Sequence, residues 1–131
     1  MRHCLLLFVS LIACQFLSAN ETVIEIYYFY SDHYCPSDVQ IQQETRTIVE
    51  SAFAKELEEG KIVLKYLNFM SPENQVVAEK FEIGWSSLII NKRGNGQEEA
   101  INMNDFAFTN VPSNPEKFKA GLEEKIRELL E

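Results

Sequence analysis

Residues 22–38 decide the fold of this chain, and they read TVIEIYYFYSDHYCPSD. From Thr22 to Tyr30 the residues are β-branched or aromatic with a single charge, which predicts a strand buried on both faces. Such strands lie centrally in α/β sheets. After a short polar loop, Cys35-Pro36-Ser37-Asp38 predicts the start of a helix. Proline suits the first helical position, and an acidic residue suits the first turn.

The rest of the chain continues this alternation of strands and helices. The helix that begins at Cys35 carries apolar residues at three- and four-residue spacing and ends at Gly60. The later elements are predicted as a strand over Lys61–Phe69, a short helix from Ser71 to before Gly84 with Val76 on its apolar side, a strand over Ser87–Asn91, a turn over 92–96, a strand over Glu98–Met103, and a helix opened by the capping-box spacing of Ser113-Asn114-Pro115-Glu116.

This order, β-α-β-α-β-β-α, predicts an α/β fold with a four-stranded mixed sheet flanked by helices. A right-handed helical crossover makes the first two strands parallel, and the last hairpin is antiparallel. Residues 104–112 stay unassigned, although Phe106 and Phe108 indicate that something packs there.

The first residues have a different character. Met1-Arg2-His3 precede an uncharged run from Cys4 to Ala13, a combination typical of a signal peptide. The run is shorter than the roughly 20 apolar residues that cross a bilayer. Leu11-Ile12-Ala13-Cys14 resembles a lipobox, which would make Cys14 the lipidated residue; Leu17-Ser18-Ala19 offers an ordinary cut before Asn20.

Of these two cleavage sites we favour the lipobox. The expected organisation is a signal peptide over residues 1–19, which would be cut before Cys14 if it is of the lipoprotein type, and one domain over residues 20–131. The expected location is the periplasm or the cell envelope, with membrane contact only through the lipid.

Charge and cysteine content narrow the function further. Arg2 is the only charged residue of the leader, so its removal takes the formal charge from -8 to -9. An acidic chain without a basic stripe gives no support for nucleic-acid binding. Cys4 is lost with the leader and Cys14 is lost or acylated. Cys35 is then the single thiol of the domain, which cannot form an internal disulfide.

Two stretches resemble the thioredoxin family. Residues 26–36, IYYFYSDHYCP, resemble its central strand, loop and helix-capping cysteine. Residues 80–90, KFEIGWSSLII, look like its second signature, where helix, loop and strand bring a cis-proline beside the cysteines. The resemblance covers essentially the whole mature chain. Residues 104–108 and 113–118 are similar to a narrower set of bacterial exported thioredoxin-like proteins, some labelled subunits of a nitrophenyl-compound nitroreductase, which we take as a name and not as an activity.

Two departures from the family pattern bear on activity. Cys35-Pro36-Ser37-Asp38 stands where the family has C-x-x-C, so an aspartate replaces the resolving cysteine. Ser86-Ser87 stands where thioredoxins have Pro-Thr. A dithiol oxidoreductase releases its client when the second thiolate attacks the mixed disulfide. Dithiol oxidoreductase activity is therefore not expected.

Three functions stay open. The favoured one is a non-catalytic binding or accessory module that presents the face around Cys35 to an unknown protein partner. The alternative is a monothiol redox protein, in which Cys35 exchanges disulfides with a small thiol or a client. A third is a metal site, because four potential ligands fall within residues 32–38, Asp32, His33, Cys35 and Asp38. The loop and helix positions of these residues do not require them to converge, so no metal ion or cofactor is expected.

The candidate site has Cys35 as its reactive residue, and Asp38, Trp85, Ser86 and Ser87 as its neighbours. The helix N-terminus favours a thiolate at Cys35, whereas the carboxylate of Asp38 opposes it. Trp85 either lines a surface beside Cys35 or fills the core, and a core or partly buried position is the expected place.

Overall fold

Four strands form one mixed sheet in the order β2-β1-β3-β4. In this computed structural model β1 (Val23–Tyr30) lies between β2 (Ile62–Asn68), to which it is parallel, and β3 (Ser87–Gly94), to which it is antiparallel. β4 (Gln97–Asn102) completes the sheet as the antiparallel partner of β3. The predicted α/β class and its mixed four-stranded sheet are therefore confirmed, and the element order is that of a thioredoxin-like fold.

The structure describes residues 21–131. The predicted signal peptide, both cleavage sites and Cys14 lie outside the described residues. Within the described part of the chain, no helix is long and apolar enough to cross a membrane.

Helices flank the sheet on both sides. They are α1 (Pro36–Ala52), α2 (Ala54–Glu58), α3 (Gln75–Lys80), α4 (Asn104–Asn110) and α5 (Pro115–Leu130), with a 3-10 turn at Pro72–Asn74 before α3. The predicted single helix up to Gly60 is instead divided at Phe53, whose backbone leaves the helical region and whose ring is buried. The Phe53 ring enters the core at this break. The half-exposed Arg127 covers the ring, with 4.9 Å between the Arg127 Cζ and the ring centroid.

The two faces of β1 pack against different layers, as its two-sided apolar pattern predicts. Ile24, Ile26 and Tyr28 are fully buried in the larger core, which also contains the apolar sides of α1 and α5. Tyr27 and Phe29 point to the opposite face and form a smaller cluster that α3 covers. Alternation along one strand thus supplies both cores.

Glu25 is the charged exception on β1, and only 6 % of its surface is exposed. Its Oε1 lies 3.2 Å from Nη2 of Arg93 and 3.6 Å from Nζ of Lys65, and its Oε2 accepts a hydrogen bond from Asn91 at 3.0 Å. Burial raises the pKa of Glu25, but the Asn91 hydrogen bond and these two cations outweigh it and hold the pKa below its usual value. Glu25 therefore stays ionised, and its charge is balanced by the two cations beside it.

Three local predictions differ from the structure. β3 runs on to Gly94, so the predicted turn over 92–96 shrinks to Asn95 and Gly96, whose φ angles of 53° and 72° suit a tight two-residue hairpin. Val76 is 79 % exposed, because the short helix α3 buries Ala78 instead. The cap of α5 is Asn114, whose side chain accepts from the Lys117 N–H at 3.1 Å, and not Ser113.

Candidate functional site

Cys35 caps the N-terminus of α1, directly after the loop that leaves β1. Its Sγ accepts a hydrogen bond from the backbone N–H of Asp38 at 3.4 Å, and the Cys35 N–H donates to Oδ2 of Asp38 at 3.0 Å. This reciprocal pair is a capping box in which a thiol takes the usual place of a hydroxyl. Pro36 occupies the first helical turn as predicted, and Cys35 itself is exposed.

Asp38 is buried behind this cap, with 5 % of its surface exposed. Its Oδ1 accepts a hydrogen bond from the hydroxyl of Tyr28 at 2.6 Å. Burial raises the pKa of Asp38, but hydrogen bonds from Cys35, Tyr28 and Ser86 outweigh it and hold the pKa below its usual value. Burial and the same carboxylate raise the pKa of Tyr28. Sequence reasoning placed Asp38 beside Cys35 but missed its bond to Tyr28.

Trp85 lies on the surface with 70 % of its area exposed, so the expectation of a core or partly buried position is wrong. It follows α3 in the loop before β3, where its neighbour Ser86 is half-buried. Ser87 differs from both, because it is 2 % exposed and does not line the surface beside Cys35. Its hydroxyl donates to the Trp85 carbonyl at 2.8 Å and so holds the loop from inside.

Asn104 extends this internal network from the first residue of α4. Its Nδ2 donates to Oγ of Ser87 at 3.0 Å, and its Oδ1 accepts from the Leu88 N–H at 2.7 Å. Asn104 therefore fixes the start of β3 and, through Ser87, the loop that carries Trp85. No pattern in the sequence distinguished it, because its partners lie 16 and 17 residues away.

A cleft of about 400 Å³ opens between these elements. It is lined by Asp38, Trp85, Ser86, Asn104, Asp105 and Phe108. The structure thus brings together Asp38, Trp85 and Ser86 of the predicted site, and α4 adds three residues that sequence reasoning did not select. Cys35 is not part of the lining, but its hydrogen bonds to Asp38 keep it adjacent.

Exposed apolar side chains collect around this end of the sheet. Tyr34 is 52 %, Val39 42 % and Met70 56 % exposed. Tyr34 precedes Cys35, and Val39 lies in the first turn and a half of α1. Met70 follows β2, and β2 and its parallel partner β1 end side by side. We call Tyr34, Val39, Met70 and Trp85, with the adjoining cleft, the Cys35 face. Exposed apolar side chains grouped at one end of a fold are typical of interaction sites.

The four potential metal ligands do not converge. Asp32 accepts a hydrogen bond from the Asn68 side chain at 2.7 Å, away from the network of Asp38. Within residues 21–131, no group of three or more histidine, cysteine or acidic side chains is arranged to hold a metal ion.

The comparisons with known proteins place no function on this site. No protein-family model matches the chain, and no curated protein matches it. Among solved structures, it is similar to a malarial protein, with 16 % identity over 64 % of this chain and 89 % of that chain and a TM-score of 0.41. It is also similar to a thioredoxin from Thermus thermophilus, with 21 % identity over 60 % of this chain and 58 % of that chain and a TM-score of 0.40. The thioredoxin-like fold is seen in the order and direction of the strands.

Proposed function

We propose that this domain is a non-catalytic binding or accessory module with a thioredoxin-like frame, and that a protein partner docks on the Cys35 face. The observation that carries the proposal is the exposed indole of Trp85 beside the cleft. A large aromatic side chain left in water at the mouth of a concave site is the type of residue on which binding energy concentrates.

The position of the missing thiol supports a role other than dithiol exchange. Asp38 is at the position where a dithiol enzyme has its resolving thiolate, and both of its carboxylate oxygens accept hydrogen bonds. A carboxylate cannot displace a client from a mixed disulfide by thiol exchange. Cys35 is the single free cysteine among the described residues. We therefore expect no catalytic turnover in insulin reduction with a dithiol reductant.

A selection from a random peptide library tests the binding proposal. We expect peptides that bind the purified domain equally well with Cys35→Ser, and that lose binding with Trp85→Ala. Val76→Ala is the matched control, because it removes another exposed apolar side chain from outside the Cys35 face. Failure to obtain any peptide that depends on Trp85 would show that this face is not a docking site.

Monothiol redox chemistry is the second candidate, because Cys35 is exposed at a helix N-terminus. In that reaction the Cys35 thiolate attacks one sulfur of oxidised glutathione, a Cys35–glutathione disulfide forms, and one glutathione thiolate leaves. The thiolate of a reduced glutathione then attacks the glutathione sulfur of this disulfide, which releases oxidised glutathione and the Cys35 thiolate. Mass spectrometry after incubation with oxidised glutathione measures this adduct. Peptides in the selection that require Cys35 and dissociate in reductant would favour this candidate over the first.

The proposal includes export of the domain, as the bacterial exported set that it resembles would require. Cys14 would then carry the lipid, and the mature domain would lie in the periplasm or on an envelope membrane. Mass spectrometry of the N-terminus of the native protein tests this directly. A chain that begins at Asn20 without lipid would replace the lipoprotein assignment with ordinary signal-peptide cleavage.

A further inference from the structure

We infer that the cleft of the Cys35 face binds a basic side chain, arginine or lysine, of an extended segment of the partner. The juxtaposition behind this inference is two carboxylates, Asp38 and Asp105, with two aromatic rings, Trp85 and Phe108, around one open cleft. The inference rests on the proposed function and names the chemistry of the partner.

The charge of the cleft is the first argument. Among the residues that the structure describes, no lysine, arginine or histidine lines it. Among residues 21–131, neither Asp38 nor Asp105 takes part in an ion pair, although basic side chains pair with acidic ones elsewhere on the surface. Within the described part of the chain, the hydrogen bonds that Asp38 accepts come from neutral donors, so its negative charge is stabilised without being cancelled. A cation from outside would complete the site.

The aromatic rings are the second argument. A guanidinium or ammonium group is attracted to the face of a tryptophan, and the methylene stem of the same side chain packs on apolar surface. Trp85 is exposed at the mouth of the cleft, and Phe108 is half-buried against the core. The cleft therefore offers an apolar wall for a stem, and for a charged head the exposed carboxylate of Asp105 with the negative charge of Asp38 behind it.

The surroundings favour a peptide over a free small cation. The cleft is open, and two exposed apolar side chains stand close to it in the chain: Val39 follows the lining residue Asp38, and Tyr34 precedes Cys35. A peptide that places one basic side chain in the cleft can cover these apolar residues with its neighbouring positions. A free amino acid cannot reach them. The volume of about 400 Å³ falls in the range of ordinary ligand clefts, roughly 300 to 1,000 Å³.

The test is an NMR titration of the isotopically labelled domain with three probes. These are the N-acetylated and C-amidated peptide Gly-Gly-Arg-Gly-Gly, the same peptide with norleucine for arginine, and free arginine amide. We expect the arginine peptide to shift the Trp85 indole and Asn104 amide signals in a saturable way. The norleucine peptide should bind about tenfold more weakly, because it lacks the cation.

Two variants with the same change in net charge locate the effect. Asp105→Asn should weaken the arginine peptide about threefold, as for an exposed ion pair. Glu58→Gln, at the exposed end of α2 and outside the cleft, should leave its affinity unchanged. Added salt should weaken binding to the wild type more than to Asp105→Asn.

Each other outcome contradicts the inference. Equal binding of the norleucine peptide, or equal effects of the two variants, would show that the face binds a peptide without reading its charge, and the proposed function would stand. Equal affinity of free arginine amide would make a small cation the ligand. Absence of saturable shifts would refute the basic ligand, whereas the proposed function fails only if the random library yields no peptide that depends on Trp85.

Discussion

Two buried carboxylates, Glu25 and Asp38, are held in different ways. Glu25 lies on β1 between two strands that provide Lys65 and Arg93 as ion-pair partners. Asp38 lies at the start of α1 and accepts hydrogen bonds from Tyr28 and the Cys35 N–H, both neutral donors. Glu25 closes a structural cluster in which two cations more than balance its negative charge. Asp38 stabilises the helix start and leaves a negative charge beside the Cys35 face.

The largest effect should follow removal of the Asp38 side chain. Asp38→Ala leaves the buried hydroxyl of Tyr28 without an acceptor and removes half of the capping box, so we expect a loss of about 3 kcal/mol in the free energy of unfolding. Urea unfolding followed by circular dichroism measures it. In a Tyr28→Phe background the same substitution should be less destabilising, because no hydroxyl is orphaned. An equal loss in both backgrounds would contradict the assigned hydrogen bond.

Glu25→Gln should be less destabilising, by about 1.5 kcal/mol. The neutral side chain keeps an acceptor for Asn91, and Lys65 and Arg93 are exposed enough to recover water. Peptide binding at the Cys35 face should not change. If Glu25→Gln weakened peptide binding as much as Asp105→Asn, the separation of a structural carboxylate from a binding one would be wrong.

Gly121→Ala tests how α4 is held beside the cleft. A Cβ at Gly121 of α5 would overlap the ring of Phe106, whose Cε1 would lie 2.9 Å away. Overpacking costs about 2 kcal/mol and the gain in helix propensity offsets about 1, so we expect a net loss of about 1 kcal/mol. A displaced α4 should also weaken peptide binding, since Asn104, Asp105 and Phe108 all belong to it. An increase in thermal stability would show that the ring moves aside freely.

The pH dependence of stability provides the smallest effect. The pKa values of Glu25 and Asp38 are lowered in the folded state from 4.5 and 3.8. Their contributions are therefore present above these unfolded values and are lost as the pH falls through the folded ones. Tyr28→Phe should raise the pKa of Asp38 toward its unfolded value, so that the contribution of Asp38 becomes smaller and its loss is complete at a higher pH. NMR titration of the two carboxyl carbons measures the change, and the Glu25 titration should stay unaltered in the variant.

Local patterns predicted what short-range chemistry determines. The two-sided pattern of β1 and the proline after Cys35 each act within a few residues and predicted their elements, and the turn predicted over 92–96 contains the observed one at Asn95 and Gly96. The bounds were less accurate where packing decides them, as at Phe53, where one predicted helix is two. The region of α4 could not be assigned, because its short apolar pattern does not distinguish a helix from a packed loop.

The candidate site, too, was predicted only where contacts between residues close in the chain determine it. The proximity of Cys35 and Asp38 follows from helix geometry, since residues three apart share one face. The bond from Tyr28 to Asp38 depends on how the strand and helix pack, and the contact from Asn104 to Ser87 depends on how α4 returns to the sheet. The side chain of Trp85 is large and mostly apolar, which favours burial, and only the tertiary structure shows that it is exposed to water.

The exposure of Trp85 has a spectroscopic consequence, because it is the only tryptophan of the chain. An indole already surrounded by water in the native state emits at long wavelength, and denaturation changes its surroundings little. Intrinsic tryptophan fluorescence is therefore a poor probe of unfolding for this domain. The same signal should move to shorter wavelength when a ligand covers the ring, so the fluorescence of this protein reports occupancy of the Cys35 face.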